Sequence, residues 1–232
     1  MRKFVVGDIH GGHRALMQCI DRSGFNPEED MLISLGDIAD GWPDVKECFT
    51  YLLSLKHKQF VIGNHDVWLS DWLQGEYAPK IWVSQGGLAS IESYGMGPVP
   101  QAHIDFLRDA PFYYVDENKN LFVHGGIDAS LDLHEQKRDF CIWDRDLLDD
   151  AVRCGYVPQT ILDTYNHVFV GHTTTTSYHT ETPIFVENMI ALDTGGGWEG
   201  KLTIMDVDTH EYWQSDPVCS LYPNVKGRGN KY

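Results

Sequence analysis

The chain has 232 residues, 42% of them hydrophobic and 22% charged, and a formal net charge of −16. That length suffices for one domain with a packed core, and such acidity argues against a nucleic-acid-binding surface, which needs clustered Lys and Arg. A phosphorylated substrate stays open, because bound divalent cations supply positive charge locally.

Phe4–Val6 reads as a first strand, buried on both faces because its apolar run does not alternate. It exits through Gly7-Asp8-Ile9-His10-Gly11. In an extended exit residues i and i+2 point to one side, so Asp8 and His10 can reach one metal ion. A helix follows, with Ala15, Leu16, Cys19 and Ile20 on its inner face and Ser23-Gly24 at its end. Met31–Leu35 is the second strand, leaving through Gly36-Asp37-Ile38-Ala39-Asp40-Gly41. Pro43 suits a first helical turn, and Val45, Cys48, Phe49, Leu52 and Leu53 mark a helix laid on a sheet. Gln59–Ile62 is the third strand, with Gly63-Asn64-His65-Asp66 as its exit. This β-α-β-α-β order implies parallel strands, right-handed crossovers and three exit loops at one sheet edge.

Residues 67–115 are rich in Trp and Tyr and broken by glycines. Short helices are expected there, one near Gln101–Asp109, with the aromatics packed in the core or capping a pocket. Leu121–Val123 leads into His124-Gly125-Gly126, and His167–Val170 into Gly171-His172-Thr173. Between these, residues 140–165 read as helical in pieces. Pro183–Glu187, Met189–Leu192, Leu202–Val207 and Glu211–Trp213 read as short strands of an antiparallel meander, which makes a second sheet mixed. The chain is expected to be one domain over residues 1–232, with residues 223–232 as a frayed Gly/Lys/Arg/Asn-rich tail.

The cysteines at 19, 48, 141, 154 and 219 are scattered and lack Cys-x-x-Cys spacing, which points to reduced thiols and a cytoplasmic protein. No signal-peptide pattern is visible, and no apolar run approaches the roughly 20 residues of a membrane span.

Five apolar strands thus end in oxygen and imidazole groups: Asp8 and His10, Asp37, Asn64, His124 and His172. No cysteine joins the set, which suits Mn, Fe, Zn or Ni better than Ca or Mg. Six ligands are too many for one catalytic ion that keeps open positions. Two ions about 3.5–4 Å apart, bridged by one carboxylate, use them naturally and clamp a phosphoryl group.

Taken together, these motifs resemble the signature of the calcineurin-like metallophosphoesterases, and more narrowly the phosphoprotein phosphatase branch in its compact phage lambda-type and bacterial form. Order and spacing match over residues 4–205. Asp40, three residues past Asp37, stands where the branch keeps an acid paired with its catalytic histidine. Thr174 stands where many other metallophosphoesterases carry a second histidine, and Leu192-Asp193-Thr194-Gly195 with Gly200-Lys201-Leu202 resembles the closing hairpin.

The resemblance implies an α/β/β/α sandwich with two mixed sheets and a dimetal site. Asp8, His10 and Asp37 hold the first ion; Asp37, Asn64, His124 and His172 hold the second, with manganese first and iron, zinc or nickel as alternatives. His65 is the implied general acid, oriented by Asp40, and an activated water attacks phosphorus in line. Arg145 is the candidate phosphate-gripping arginine. Two departures stand out. The branch carries a second phosphate-binding arginine where this chain has Gly41, and Arg14 is the expected substitute; Asp66 stands in place of a glutamate. The remaining histidines, His13, His57, His103, His134, His167, His179 and His210, match no motif. The implied activity is phosphate monoester hydrolysis of the Ser/Thr protein phosphatase kind. The alternatives are a nucleotide hydrolase such as a symmetrical diadenosine tetraphosphatase, a phosphodiesterase, or a non-catalytic module that keeps the fold.

Overall fold

The computed structural model describes residues 1–157 and 161–229. In chain order its elements are β1 (Lys3–Val6), α1 (His13–Ser23), β2 (Met31–Ser34), α2 (Val45–Ser54), β3 (His57–Phe60), α3 (Asn64–Leu73), α4 (Lys80–Trp82), α5 (Leu88–Tyr94), α6 (Gln101–Arg108), β4 (Tyr113–Val115) and β5 (Asn120–Val123). They continue with α7 (Arg138–Trp143), α8 (Asp146–Cys154), β6 (His167–Val170), β7 (Ile184–Val186), β8 (Met189–Ala191), β9 (Thr203–Asp206), β10 (Tyr212–Gln214) and α9 (Val218–Leu221).

The strands form two five-stranded sheets, ordered β10-β9-β1-β2-β3 and β4-β5-β6-β8-β7. In the first, β1, β2 and β3 run parallel, and β9 and β10 add antiparallel. In the second, β5, β6 and β8 run parallel, flanked by antiparallel β4 and β7. Both sheets are therefore mixed.

The apolar runs fill two layers at once, because alternate residues of a strand face opposite ways. Val5 and Ile33 meet Phe122, Phe169 and Ile190 between the sheets, while Phe4 and Val6 turn outward onto Leu16, Val45 and Phe49. The stacked rings of Phe122 and Phe169, 4.9 Å apart, belong to that inner layer. Val123, Val168 and Val170 pack outward with Leu148 and Ala151 of α8. Helices thus cover both outer faces of an α/β/β/α sandwich.

Several boundaries differ from the sequence reading. Helix α2 starts at Val45 with Asp44 at its N-cap, so Pro43 precedes the cap instead of filling the first turn. Strand β3 is drawn from His57-Lys58-Gln59, earlier than the apolar run, since an edge strand needs only one neighbour. The apolar residues 61 and 62 carry the chain onward, Val61 N–H to Ser34 and Ile62 N–H to Pro111. The four late strands are not one meander: β7 and β8 complete the second sheet, β9 and β10 the first. The pieces of helix expected over 140–165 include three positions outside the described residues.

Candidate metal centre

Every expected ligand follows the C-terminal end of a parallel strand, the edge where side chains from separate strands converge. Asp8 and His10 follow β1, Asp37 and Asp40 follow β2, Asn64 and His65 open α3 after β3, His124 follows β5 and His172 follows β6. All are buried. The backbone is bent hard to aim them: φ is positive at His10 (47°), Asp37 (48°), Asp40 (73°) and His172 (60°). Such conformations are rare outside glycine and concentrate where the fold fixes a functional group. Glycines clear the remaining room, since a Cβ on Gly63 would stand 2.1 Å from Asp37 Oδ1, and one on Gly171 would stand 2.3 Å from Asp8 Oδ1.

Two groups of ligand atoms result, Asp8-His10-Asp37 and Asp37-His124-His172, each with its atoms within 4.8 Å of one another. Asp37 belongs to both. Its Oδ2 lies 3.7 Å from His10 Nε2 and 3.4 Å from His124 Nε2. Asn64 Oδ1 is 3.2 Å from His124 Nε2. Backbone carbonyls fix the two imidazoles: His10 Nδ1 sits 2.9 Å from Ala39 O and His124 Nδ1 2.8 Å from Leu35 O. Those contacts make Nδ1 the donor and leave Nε2 available to a cation, the arrangement that orients metal-binding histidines in general. Asp8 in turn accepts the His172 backbone N–H at 3.1 Å, and His65 N–H donates to Asp37 Oδ1 at 3.0 Å. Side-chain nitrogen Nε2 of His172 is buried without a hydrogen-bond partner among the described residues. A buried imidazole nitrogen left unpaired beside carboxylates fits a cation.

The charges reinforce this. Burial alone would raise Asp37, but the imidazoles of His124, His65 and His10 hold it well below the usual carboxylate range. Burial and the neighbouring Asp193 carboxylate push Asp8 well up. His124, although buried, is raised to about 9 by Asp37. A site of this make-up can hold two divalent ions that share one carboxylate.

Beside it lies a proton-carrying pair. His65 Nδ1 is 2.5 Å from Asp40 Oδ2. Burial takes the imidazole down to about 3 and the carboxyl up to about 8. Burial thus favours the uncharged form of the pair, with a proton on Asp40 facing His65 Nδ1. His65 Nε2 is buried and has no hydrogen-bond partner among the described residues.

Sequence reasoning missed what holds this pair. Trp82 Nε1–H donates to Asp40 Oδ2 at 2.7 Å, and Ser90 O–H to Asp40 Oδ1 at 2.6 Å. Residues 67–115 thus supply the wall behind Asp40, with Trp82 fully buried and Trp72 packed near it at 6.0 Å. Asp66 also has a use: its carboxylate accepts the N–H groups of Ile38, Ala39 and Gly63, pinning the turn between Asp37 and Asp40. No local pattern signals any of these contacts.

The arginines fall differently. Arg145 is exposed at the rim, where its guanidinium donates to His172 O at 3.0 Å and Thr173 Oγ1 at 3.3 Å. Arg14 points away from the site. It donates to Leu221 O at 2.7 Å and lies over the Tyr222 ring, because the first turn of α1 faces the C-terminal helix α9. The expected substitution at Gly41 by Arg14 is therefore not what the fold provides. Arg228 lies there instead: a Cβ on Gly41 would meet Arg228 Cγ at 3.1 Å. Residues 223–226 of the tail are exposed, but Gly227 and Arg228 pack against Trp42 and Gly197 beside the site, and residues 230–232 lie outside the described residues.

Comparison with known proteins agrees with this geometry. A family profile described as calcineurin-like phosphoesterase matches residues 1–192. The chain is 31% identical over 135 residues to the symmetrical bis(5'-nucleosyl)-tetraphosphatase of Erwinia tasmaniensis, covering 57% of this chain and 47% of that protein. It therefore spans about half the length of that relative. It is 26% identical over 212 residues to serine/threonine-protein phosphatase 2 of Salmonella typhimurium, covering 88% of this chain and 92% of that one. A solved protein serine/threonine phosphatase from Saccharomyces cerevisiae superposes with a TM-score of 0.63 at 15% identity, covering 99% of this chain and 84% of that one, a likeness of fold.

Proposed function

We propose that this chain, which belongs to the calcineurin-like phosphoesterase family, is a dimetal phosphomonoesterase acting on phosphoserine- or phosphothreonine-type esters. The observation that carries this reading is the His65–Asp40 pair, with His65 Nε2 buried and unpartnered beside the ligand cluster. A proton donor there is most useful when the leaving group is an alkoxide, which departs poorly without a proton.

Asp8, His10 and Asp37 would hold one ion, and Asp37, Asn64, His124 and His172 the other; manganese is the ion we favour. When bound, such a pair acidifies water and polarises the phosphoryl group. The rest falls to the chain's own residues. Arg145, planar and permanently charged, would grip the phosphoryl oxygens from the rim. His65 would give its Nε2 proton to the departing oxygen, and Asp40 would hold the imidazolium in place through Nδ1. Trp68 and Trp143, whose rings lie 5.3 Å apart, stand beside His65 and His172 and limit water at the rim. No helix among the described residues is long and apolar enough to cross a membrane. The five free cysteines support a reducing, cytoplasmic setting.

The test is His65→Ala, measured with a phosphoserine peptide and with an activated aryl phosphate. The variant should bind metal normally and lose about a hundredfold or more in kcat on the peptide alone. Loss of the metal itself would end the general-acid assignment. A second reading, a nucleotide hydrolase, is favoured by the identity with the tetraphosphatase of Erwinia tasmaniensis. Turnover of a dinucleoside tetraphosphate at higher kcat/KM than of any phosphopeptide would establish it over the first.

A further inference from the structure

The C-terminal tail places a cation at the edge of the ligand cluster, beside His10. Arg228 Nη1 lies 3.3 Å from His10 Nε2. Its guanidinium carbon sits 4.3 Å over the Trp198 ring, a cation–π contact that fixes the plane of the group. Its backbone N–H donates to Gly197 O at 3.0 Å.

The slot is shaped for this side chain. A Cβ on Gly41 would meet Arg228 Cγ at 3.1 Å, one on Gly86 would meet the same atom at 3.3 Å, and one on Gly197 would meet Cδ at 2.9 Å. Three glycines from three separate loops thus clear one channel. Gly227, at φ 55°, lays the preceding backbone against Trp42, where a Cβ would come within 2.7 Å of the ring.

What the guanidinium lacks is an anion. Among the described residues its side-chain hydrogen bonds are long and to neutral groups: Gln85 O at 3.4 Å, Gln85 Oε1 at 3.4 Å and His10 Nε2 at 3.3 Å. Among the described residues no carboxylate lies within 4.0 Å of it, although Asp37, Asp193, Asp40 and Asp8 attract it from further off. Enclosure lowers its pKa from the ordinary value, and those carboxylates oppose the fall. An arginine offers five N–H donors in a fork that matches two oxygens of a phosphate. A part-buried fork without a carboxylate partner in reach is short of such a ligand.

We propose that Arg228 is a phosphate-binding residue of this site, delivered by the C-terminal tail into the space that Gly41 leaves open. The inference rests on the reading of the site as a phosphoryl-binding one. Arg145 grips from one rim, and Arg228 enters from the opposite end of the sequence.

The experiment is calorimetric titration of inorganic phosphate into full-length protein loaded with manganese, for wild type, Arg228→Ala and Arg228→Lys, with manganese affinity measured separately. Wild type should bind phosphate, Arg228→Ala should bind it about tenfold or more weakly, and Arg228→Lys should fall between. Manganese affinity and melting temperature should stay near wild type, which separates ligand binding from folding. Equal phosphate affinity in wild type and Arg228→Ala would overturn the role of Arg228 alone. Failure of wild type to bind phosphate at all would overturn the phosphoryl-binding reading with it. Tighter manganese binding in Arg228→Ala with unchanged phosphate affinity would make the arginine a competitor of the metal, and would equally overturn the proposal.

Discussion

Trp82→Phe isolates one hydrogen bond on which the proposed proton donor depends. The indole N–H is one of two side-chain donors, with the Ser90 hydroxyl, that hold the Asp40 carboxylate opposite His65. Phenylalanine keeps most of the buried ring and removes the N–H. A hydrogen bond to a charged acceptor contributes about 1.5–3 kcal/mol, and each pKa unit is about 1.4 kcal/mol. The Asp40 carboxyl, at about 8 with both donors present, should therefore rise by about one to two units. The proton then stays on Asp40 in preference to the imidazole, and the imidazolium form of His65, the stronger acid at Nε2, becomes about ten- to a hundredfold scarcer. The assay is steady-state kinetics with a phosphoserine peptide and with p-nitrophenyl phosphate, alongside metal content and denaturant unfolding. On the peptide kcat should fall by that factor; on the aryl ester, whose leaving group departs unprotonated, it should change little. Stability should drop by about 1–3 kcal/mol from the smaller ring and the missing donor. Equal losses on both substrates, with metal retained, would refute the link from Trp82 through Asp40 to His65.

Two further outcomes follow from the geometry. Lys3 Nζ in β1 pairs at 2.7 Å with Asp116 in the turn between β4 and β5, a buried contact that ties the two sheets together. Asp116→Ala should cost about 3 kcal/mol, the low end for a broken buried pair, since Lys3 keeps the exposed Glu117 at 2.7 Å. Burial would raise Asp116, but Lys3 and the Asn120 donors hold it below its ordinary value, so it contributes stability above about pH 4 that is lost as pH falls through its folded pKa. Unfolding curves from neutral pH to pH 2 should show that loss in wild type and a flatter profile in Asp116→Asn; identical pH profiles would contradict it. Gly63→Ala drives a methyl group to 2.1 Å from Asp37 Oδ1 and 2.4 Å from its backbone nitrogen. Manganese binding should weaken by about tenfold or more and stability fall by about 1–3 kcal/mol; normal metal content after dialysis would disprove the close fit.

The residues of the proposed metal centre can be picked out from the sequence because each sits where a local rule applies. An unbroken apolar run marks a strand buried on both sides, as in Phe4–Val6 and His167–Val170, and a glycine marks where it must turn. Parallel order then brings the exits to one edge, so Asp8, Asp37, Asn64, His124 and His172 meet without any contact being known beforehand. Strand β3 was harder, because His57-Lys58-Gln59 carries no apolar signal and pairs with one neighbour only. The late strands were misassigned to one meander for a related reason. Turn spacing shows that β7 and β8 or β9 and β10 can form hairpins, and says nothing of which sheet receives each.

Trp82, Ser90 and Arg228 were beyond reach for another cause. Each acts through a partner 42, 50 or 218 residues away, and none has a periodicity or spacing that would tie it to that partner. The tail shows how far composition can mislead. Gly227-Arg228-Gly229 reads as solvated chain, because glycine and arginine are common in such segments. Its placement depends on Gly41, Gly86 and Gly197, three positions whose lack of a side chain has no meaning until they are brought side by side. Gly41 then reads as more than the loss of an arginine. A side chain at that position would crowd Arg228 Cγ, 3.1 Å from a Cβ there, so the arginine's stem uses room that the glycine leaves.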